Sequence, residues 1–202
     1  MYTSYLGSET GTALAEVITG SINPSGKLPY SLPARLEDSP AHALGEYPGS
    51  NGKVEYKEDL FVGYRYYDSK NVKPLFPFGF GLSYTTFAYS DYKIDLKGSG
   101  ESLTCTVSFK VTNTGKVQGK ESAQVYVRDP ESAFVRPFKE LKGFAKVDLK
   151  PGETKSMSIV LNQRAFQYYN PDTKQWVAEA GKYEMLVGTS SDNIVLKQQF
   201  DL

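Results

Sequence analysis

SLTCTVSFKV, residues Ser102–Val111, alternates apolar and polar side chains, with Leu103, Cys105, Val107, Phe109 and Val111 in one register. A two-residue period puts all five on one face of a strand and leaves the other face to water. The pattern recurs in Ala123–Val127, Glu140–Val147, Met157–Leu161, Tyr183–Val187 and Ile194–Phe200. Turn-forming residues separate these runs: Asn113-Thr114-Gly115, Asp129-Pro130, Pro151-Gly152, Asn170-Pro171-Asp172 and Asp192-Asn193. Short alternating runs at regular spacing, with no long helical period, predict a β-sandwich over residues 87–202. That length suits an immunoglobulin-like unit of about 100 residues, and the segment is expected to fold by itself.

Upstream of Phe87 the texture differs. Ser8 can cap a helix over 9–19, with Glu9 in its first turn, Gly20 as its stop and Leu14, Val17 and Ile18 on one side. Asn23-Pro24-Ser25-Gly26 reads as a turn, and Lys27–Leu32 as a short strand ended by Pro33. One helix and one strand cannot bury each other, so residues 1–33 read as the closing pieces of a larger α/β layer. Residues 34–58 are polar and rich in glycine and proline, a long loop. Gly63–Phe87, GYRYYDSKNVKPLFPFGFGLSYTTF, is crowded with aromatic rings and broken by Pro74 and Pro77. Its glycine and proline content predicts an extended, irregular course whose rings dock on something already folded. Residues 34–86 therefore form a linker or wrapping tail. The architecture expected is mainly β, a sandwich preceded by a partial α/β remnant.

Composition excludes several roles. Lys plus Arg and Asp plus Glu are 23 each, so no net charge draws the chain to nucleic acid or an anionic membrane. No apolar run is long enough to span a bilayer, and the N-terminus lacks the basic-then-apolar pattern of a signal peptide. Cys105 is the lone cysteine, so no internal disulfide forms, and its place in the alternating run points to a buried structural thiol.

The motifs with chemical potential fail on spacing. Five residues, instead of four, separate Gly20 from Gly26-Lys27, and Leu28 stands where a phosphate loop needs Ser or Thr. GFGLSY, residues 79–84 after Phe78, has no third glycine for a dinucleotide site; Gly79 and Gly81 instead suit a turn in close approach to a neighbour. His42 has no second His or Cys nearby, so neither a zinc site nor a catalytic triad forms around it. Glu55, Glu58, Asp59 and Asp68 cluster in sequence. Glycoside hydrolysis needs a spatial carboxylate pair, which sequence proximity does not supply, and Asp68 can instead pair with Arg65 or cap a turn. Trp176 beside a hairpin-like turn suits core packing better than a sugar-stacking site.

Three blocks carry a family resemblance. LGSETGTALAEVITGSINPSGKLPYSLP (6–33) resembles the closing helix and strand of the α/β-sandwich domain of family 3 glycoside hydrolases. YKEDLFVGYRYYD (56–68) with PLFPFGFGLSYTTF (74–87) resembles the linker of its three-domain members. VTNTGKVQGKESAQVYVRDP, RPFKELKGFAKVDLKPGET and GKYEMLVGTSS resemble its C-terminal fibronectin type III-like domain. Phe80 departs from many bacterial relatives, which carry His there.

The resemblance implies a retaining exo-β-glycosidase, most often a β-glucosidase, that is periplasmic or secreted and acts on β-linked oligosaccharides or glycosides. It also implies that the nucleophilic Asp lies on an N-terminal barrel and the acid/base Glu upstream in the α/β domain. Neither has a counterpart among these residues, so no catalytic, cofactor or metal residue is assigned. The expected role is structural: Tyr64, Arg65, Tyr66, Phe76, Phe78 and Phe80 dock the linker and help to hold the barrel and α/β domains. Without those partners, the helix and strand of 1–33 are expected to promote self-association. The competing readings are a carbohydrate- or surface-binding module using Trp176 and exposed tyrosines, and, ranked last, hydrolysis by the Glu55–Asp68 cluster.

Overall fold

The computed structural model describes residues 2, 3, 5 and 7–202. Two antiparallel sheets form the sandwich. One joins β1 (Phe87–Lys97), β2 (Thr104–Asn113) and β5 (Thr154–Asn162) in the order β1-β2-β5. The other joins β3 (Gly119–Arg128), β4 (Glu140–Leu149), β8 (Lys182–Gly188) and β9 (Ile194–Asp201) in the order β4-β3-β8-β9. A separate hairpin pairs β6 (Tyr168–Asn170) with β7 (Gln175–Val177). The alternating residues of β2 all face inward and are buried. Register carries the pattern across the sheet: Cys105 lies opposite Leu96 and Leu161, and Val107 opposite Ile94 and Ile159. Val125 and Val127 of β3 and Met185 and Val187 of β8 close the core from the second sheet, with Phe166 filling one end. Burial pushes the Cys105 thiol up to about 11, and Asp95 adds to the rise, so the sulfur stays protonated.

β1 escapes a reading by alternation because its period breaks midway. Its pairing with β2 shifts between Ser90 and Lys93, and Asp91 sits at φ 53°. That bulge moves the inward set from odd positions (Phe87, Tyr89) to even ones (Tyr92, Ile94, Leu96).

The upstream residues differ from expectation in four ways. The first helix, α1 (Thr10–Ile18), is present, but Glu9 is its cap residue and no side chain caps it; Ser8 lies outside in a turn. The stretch 27–32 is no independent strand. Leu28 and Leu32 pair with the aromatic segment in both directions: Leu28 N–H donates to Phe80 O and Leu28 O accepts from Gly79 N–H, each at 2.8 Å, while Leu32 N–H donates to Phe76 O and Leu32 O accepts from Leu75 N–H, each at 2.8 Å. The loop over 34–58 contains a 3-10 turn, Leu36–Asp38, and a one-turn helix, α2 (Pro40–Ala43).

Fourth, the aromatic segment is not extended throughout, because α3 spans Tyr64–Lys70. The glycines and prolines that argue against a helix stand outside it. Gly63 precedes it at φ 56°, and Asn71 ends it in the left-handed region at φ 53°. The prolines lie beyond, at 74 and 77, and only the stretch after α3 runs extended.

Candidate docking surface and adjoining groove

The second sheet is partly buried on its outer face as well. Tyr126 and Leu186 point away from the sandwich core, where alternation expects water, yet both are buried. The upstream segment covers them. The Tyr64 ring meets Tyr126 edge-on at 5.8 Å and packs on Phe78 at 5.1 Å. The Tyr64 hydroxyl accepts a 2.7 Å hydrogen bond from the Leu141 N–H of β4, so one side chain grips the sheet through both ring and oxygen. The Ser191 N–H, at the β8–β9 turn, donates to Phe78 O at 2.8 Å.

Gly79 also approaches the sheet closely. It takes φ 82°, and a Cβ there would lie 2.3 Å from the Gln124 amide. Gln124 is fixed in place, since its amide donates to Thr189 O at 3.0 Å and its Oε1 accepts from the Tyr126 hydroxyl. A side chain at 79 is therefore excluded both by conformation and by space.

Of the six docking residues named from sequence, Tyr64, Arg65, Tyr66 and Phe78 lie in or beside this contact. Tyr66 is buried and stands edge-on to Tyr67. Phe76 and Phe80 pack on each other at 5.0 Å next to the 28–32 stretch, and Phe76 remains partly exposed. Sequence reasoning missed the receiving side. The signal lay in AQVYV (123–127) and YEMLV (183–187), where Tyr126 and Leu186 occupy outward positions of the alternation.

Charged contacts frame the aromatic ones. Lys139 reaches Asp68 of α3 at 2.6 Å, and both side chains are largely buried. Burial raises the Asp68 carboxyl, and Lys139 only partly offsets that. Asp68 thus pairs with Lys139, whereas Arg65 pairs with Glu140 at 3.3 Å. Glu140 also receives Arg136 at 3.0 Å and Lys142 at 3.4 Å. Burial alone would raise the Glu140 carboxyl, but Lys142, Arg136 and Arg65 together outweigh it and hold the group below its ordinary value. Further along, Lys27 pairs with Glu121 at 3.2 Å. Asn23 acts as a knot: its Oδ1 accepts from Tyr84 N–H at 2.8 Å, and its Nδ2 donates to Gln118 O at 2.9 Å. Buried Asn113 ties the end of the segment to the sandwich by accepting from Thr85 Oγ1 at 2.6 Å and donating to Leu149 O at 3.0 Å.

Beside this contact lies an open groove of 1210 Å³ between the base of α3, β4, β5 and the β6–β7 hairpin. Trp176 stands at its rim and is 50% exposed, which corrects the expectation that it fills the core. The core is closed without it, by Phe166 and Tyr183, because β7 belongs to an outlying hairpin and not to either sheet. Tyr169, its partner across the hairpin, is 47% exposed, with ring centroids 5.3 Å apart and planes at 60°. The Arg164 guanidinium lies over the Trp176 ring.

The clustered carboxylates have separate roles. Glu55 pairs with Lys57 at 3.3 Å on the surface, Asp59 takes φ 50° at the groove edge, and Asp68 is held by Lys139. His42 accepts or donates to Ser39 Oγ at 2.8 Å and tilts against Tyr47. Among the described residues no three His, Cys, Asp or Glu side chains converge as metal ligands, and no helix is long and apolar enough to cross a membrane.

Two family models match the chain in sequence: the glycosyl hydrolase family 3 C-terminal domain over residues 1–84, and the fibronectin type III-like domain over residues 121–191. The chain has the C-terminal architecture of the family 3 glycoside hydrolases. This family 3 unit is 52% identical over 196 residues to thermostable β-glucosidase B of Acetivibrio thermocellus, covering 96% of the chain and 26% of that protein. It is 50% identical over 192 residues to a β-glucosidase of Bacteroides ovatus, covering 94% and 26%. Among solved structures, β-glucosidase 3B from Thermotoga neapolitana in complex with glucose matches at a TM-score of 0.87 and 45% identity, over 96% of this chain and 27% of that one. The β-glucosidase from Kluyveromyces marxianus in complex with glucose matches at 0.89 and 44%, over 97% and 23%. The family 3 unit described here spans about a quarter of the length of the curated relatives it matches.

Proposed function

We propose that this chain is the structural C-terminal portion of a retaining exo-β-glycosidase of the β-glucosidase type, and that it braces the catalytic domains without supplying a catalytic group. The observation that carries this reading is the two-sided aromatic segment. Through Leu28 and Leu32 it holds the closing stretch of the α/β layer, and through Tyr64, Phe78 and Gly79 it is bolted to the outer face of the sandwich. A rigid link of this kind fixes the layer that, by family resemblance, carries the acid/base residue, and positional error at a reacting centre is costly in rate. Glu55 and Asp68 are engaged in ion pairs, Asp59 is exposed, and Glu58 is half-buried with its Oε2 lacking a hydrogen-bond partner, so no pair of free carboxylates faces a common space.

A graft tests it. The chain replaces the corresponding quarter of the Acetivibrio thermocellus enzyme, and hydrolysis of aryl β-glucosides is measured for the chimera and for the chain alone. The chimera is expected to turn over and the chain to match a buffer blank. Turnover by the chain alone that disappears in Glu58→Gln, or a folded chimera without activity, overturns the reading.

A further inference from the structure

We propose that the hollow between Phe144 and Val160 receives an apolar side chain from the catalytic portion of the whole enzyme, so that the sandwich touches that portion directly and not only through the aromatic segment. The inference rests on the bracing role and gives it a second point of contact.

Phe144 is the uncovered member of a covered row. On the outer face of the second sheet it lies directly across from Gln124, and the neighbouring outward pairs are Ser122 with Lys146 and Tyr126 with Leu141. Every neighbour on this row is engaged by the upstream segment. Gly79 closes on Gln124, the Tyr64 hydroxyl accepts from Leu141 N–H, and Lys146 Nζ donates to Ser25 O at 2.8 Å. Phe144, between them, is 73% exposed.

The gap runs on to the open edge of the sandwich. β4 and β5 are the end strands of their two sheets. At Gly143 they meet so closely that a Cβ would lie 2.7 Å from Ile159 Cγ2. Over this seam residues 141–144 and 159–161 line a hollow of 430 Å³, and Val160, on its β5 wall, is 64% exposed. The one ionic group in the lining, Lys142, is held by Glu140 at 3.4 Å. An apolar hollow with its charge already paired suits an apolar anchor, which gains most when water is excluded around it.

Continuity with the contact already formed selects the occupant. Ser25, which holds Lys146, belongs to the stretch 1–84 that matches the family 3 C-terminal domain, and the chain spans about a quarter of its curated relatives. In that stretch α1 buries no residue and leaves Ile18 exposed, the mark of a layer shaped to pack against further chain. A layer that already reaches Lys146 meets Phe144 two residues along the same row. A strand added from a second copy fits less well. The β3–β4 pairing shifts at Lys142, and such a bulge interrupts the regular edge that an added strand needs.

Hydroxyl-radical footprinting with peptide mapping reads the accessibility of Phe144 without any substitution. It is applied to the chain and to the chimera with the Acetivibrio thermocellus enzyme. Phe144 is expected to be oxidised readily in the chain at every concentration, and roughly tenfold more slowly in the chimera, where the contact excludes water. Phe144→Ser and Val160→Ser are each expected to lower the urea midpoint of the chimera and to leave that of the chain nearly unchanged, because both side chains are exposed in the chain. Equal oxidation of Phe144 in the chain and in an active chimera, or chimera midpoints indifferent to both substitutions, overturns the contact and leaves the bracing role standing. Protection that develops in the chain alone as its concentration rises assigns the hollow to a second copy and also overturns it. A folded chimera without turnover fails the bracing role, and Phe144 oxidation in it still decides the contact.

Discussion

At the scale of single residues, Trp176 and Phe109 make the sharpest contrast. Sequence assigns both of these large aromatics to the core, yet Phe109 is 2% exposed at the centre of the sandwich and Trp176 sits at a groove rim. Truncating a buried aromatic costs about 3–5 kcal/mol, so Phe109→Ala is expected to lower the denaturation midpoint sharply. Trp176→Ala is expected to cost less than about 1 kcal/mol, and paired urea melts check the difference. Sequence placed Phe109 correctly because its neighbours at 105, 107 and 111 share its register. Trp176 has no such neighbours, since a three-residue strand is too short to display a period. Glu140 offers a second test at this scale. Its folded-state value lies below the ordinary 4.5, so its contribution is complete above about pH 4.5 and is lost as pH falls through the folded value. Glu140→Gln is therefore expected to destabilise at neutral pH, and melts across the acid range should show the gap to the parent chain narrowing below pH 4.5.

Among the elements, the aromatic segment shows what local sequence conceals. Its glycines and prolines stand at Gly63 and from Pro74 to Gly81, which leaves Tyr64–Lys70 free to wind into α3. Likewise Lys27–Leu32 shows strand character, but its partner lies almost fifty residues later, a separation that no window of local pattern spans. Hydrogen exchange should resolve the consequence. The amides of Leu28 and Leu32 are expected to be protected by their carbonyl partners at Phe80 and Phe76. The amides of α1, which buries no residue, are expected to exchange faster by a factor of ten or more. Equal protection across residues 10–32 would mean that α1 has a packing surface of its own, contrary to the reading of residues 1–33 as part of a larger layer.

For the molecule as a whole, the sandwich was legible and its coat was not. Alternation gave the inward faces of β2, β3, β5 and β8, because one side of each strand had to meet the other sheet. It could not say that the opposite side of β3 and β8 is also covered, which depends on α3 and Phe78 arriving from elsewhere in the chain. The other exposed apolar groups, Ile18 and Ile22 near α1 and Leu75 and Leu82 in the segment, have no such cover. Sedimentation of the chain by itself is expected to show concentration-dependent self-association, reduced in Ile18→Lys. A strictly monomeric species at all concentrations would argue against α1 as a face built for further layers. Cys105 turns this layered build into a stopwatch. Its sulfur is sealed between the sheets and stays protonated near neutrality, so a thiol-reactive dye can modify it only after the sheets part. Loosening the coat should leave the labelling rate untouched, and opening the sandwich should set it, so one native atom times the parting of the sheets alone.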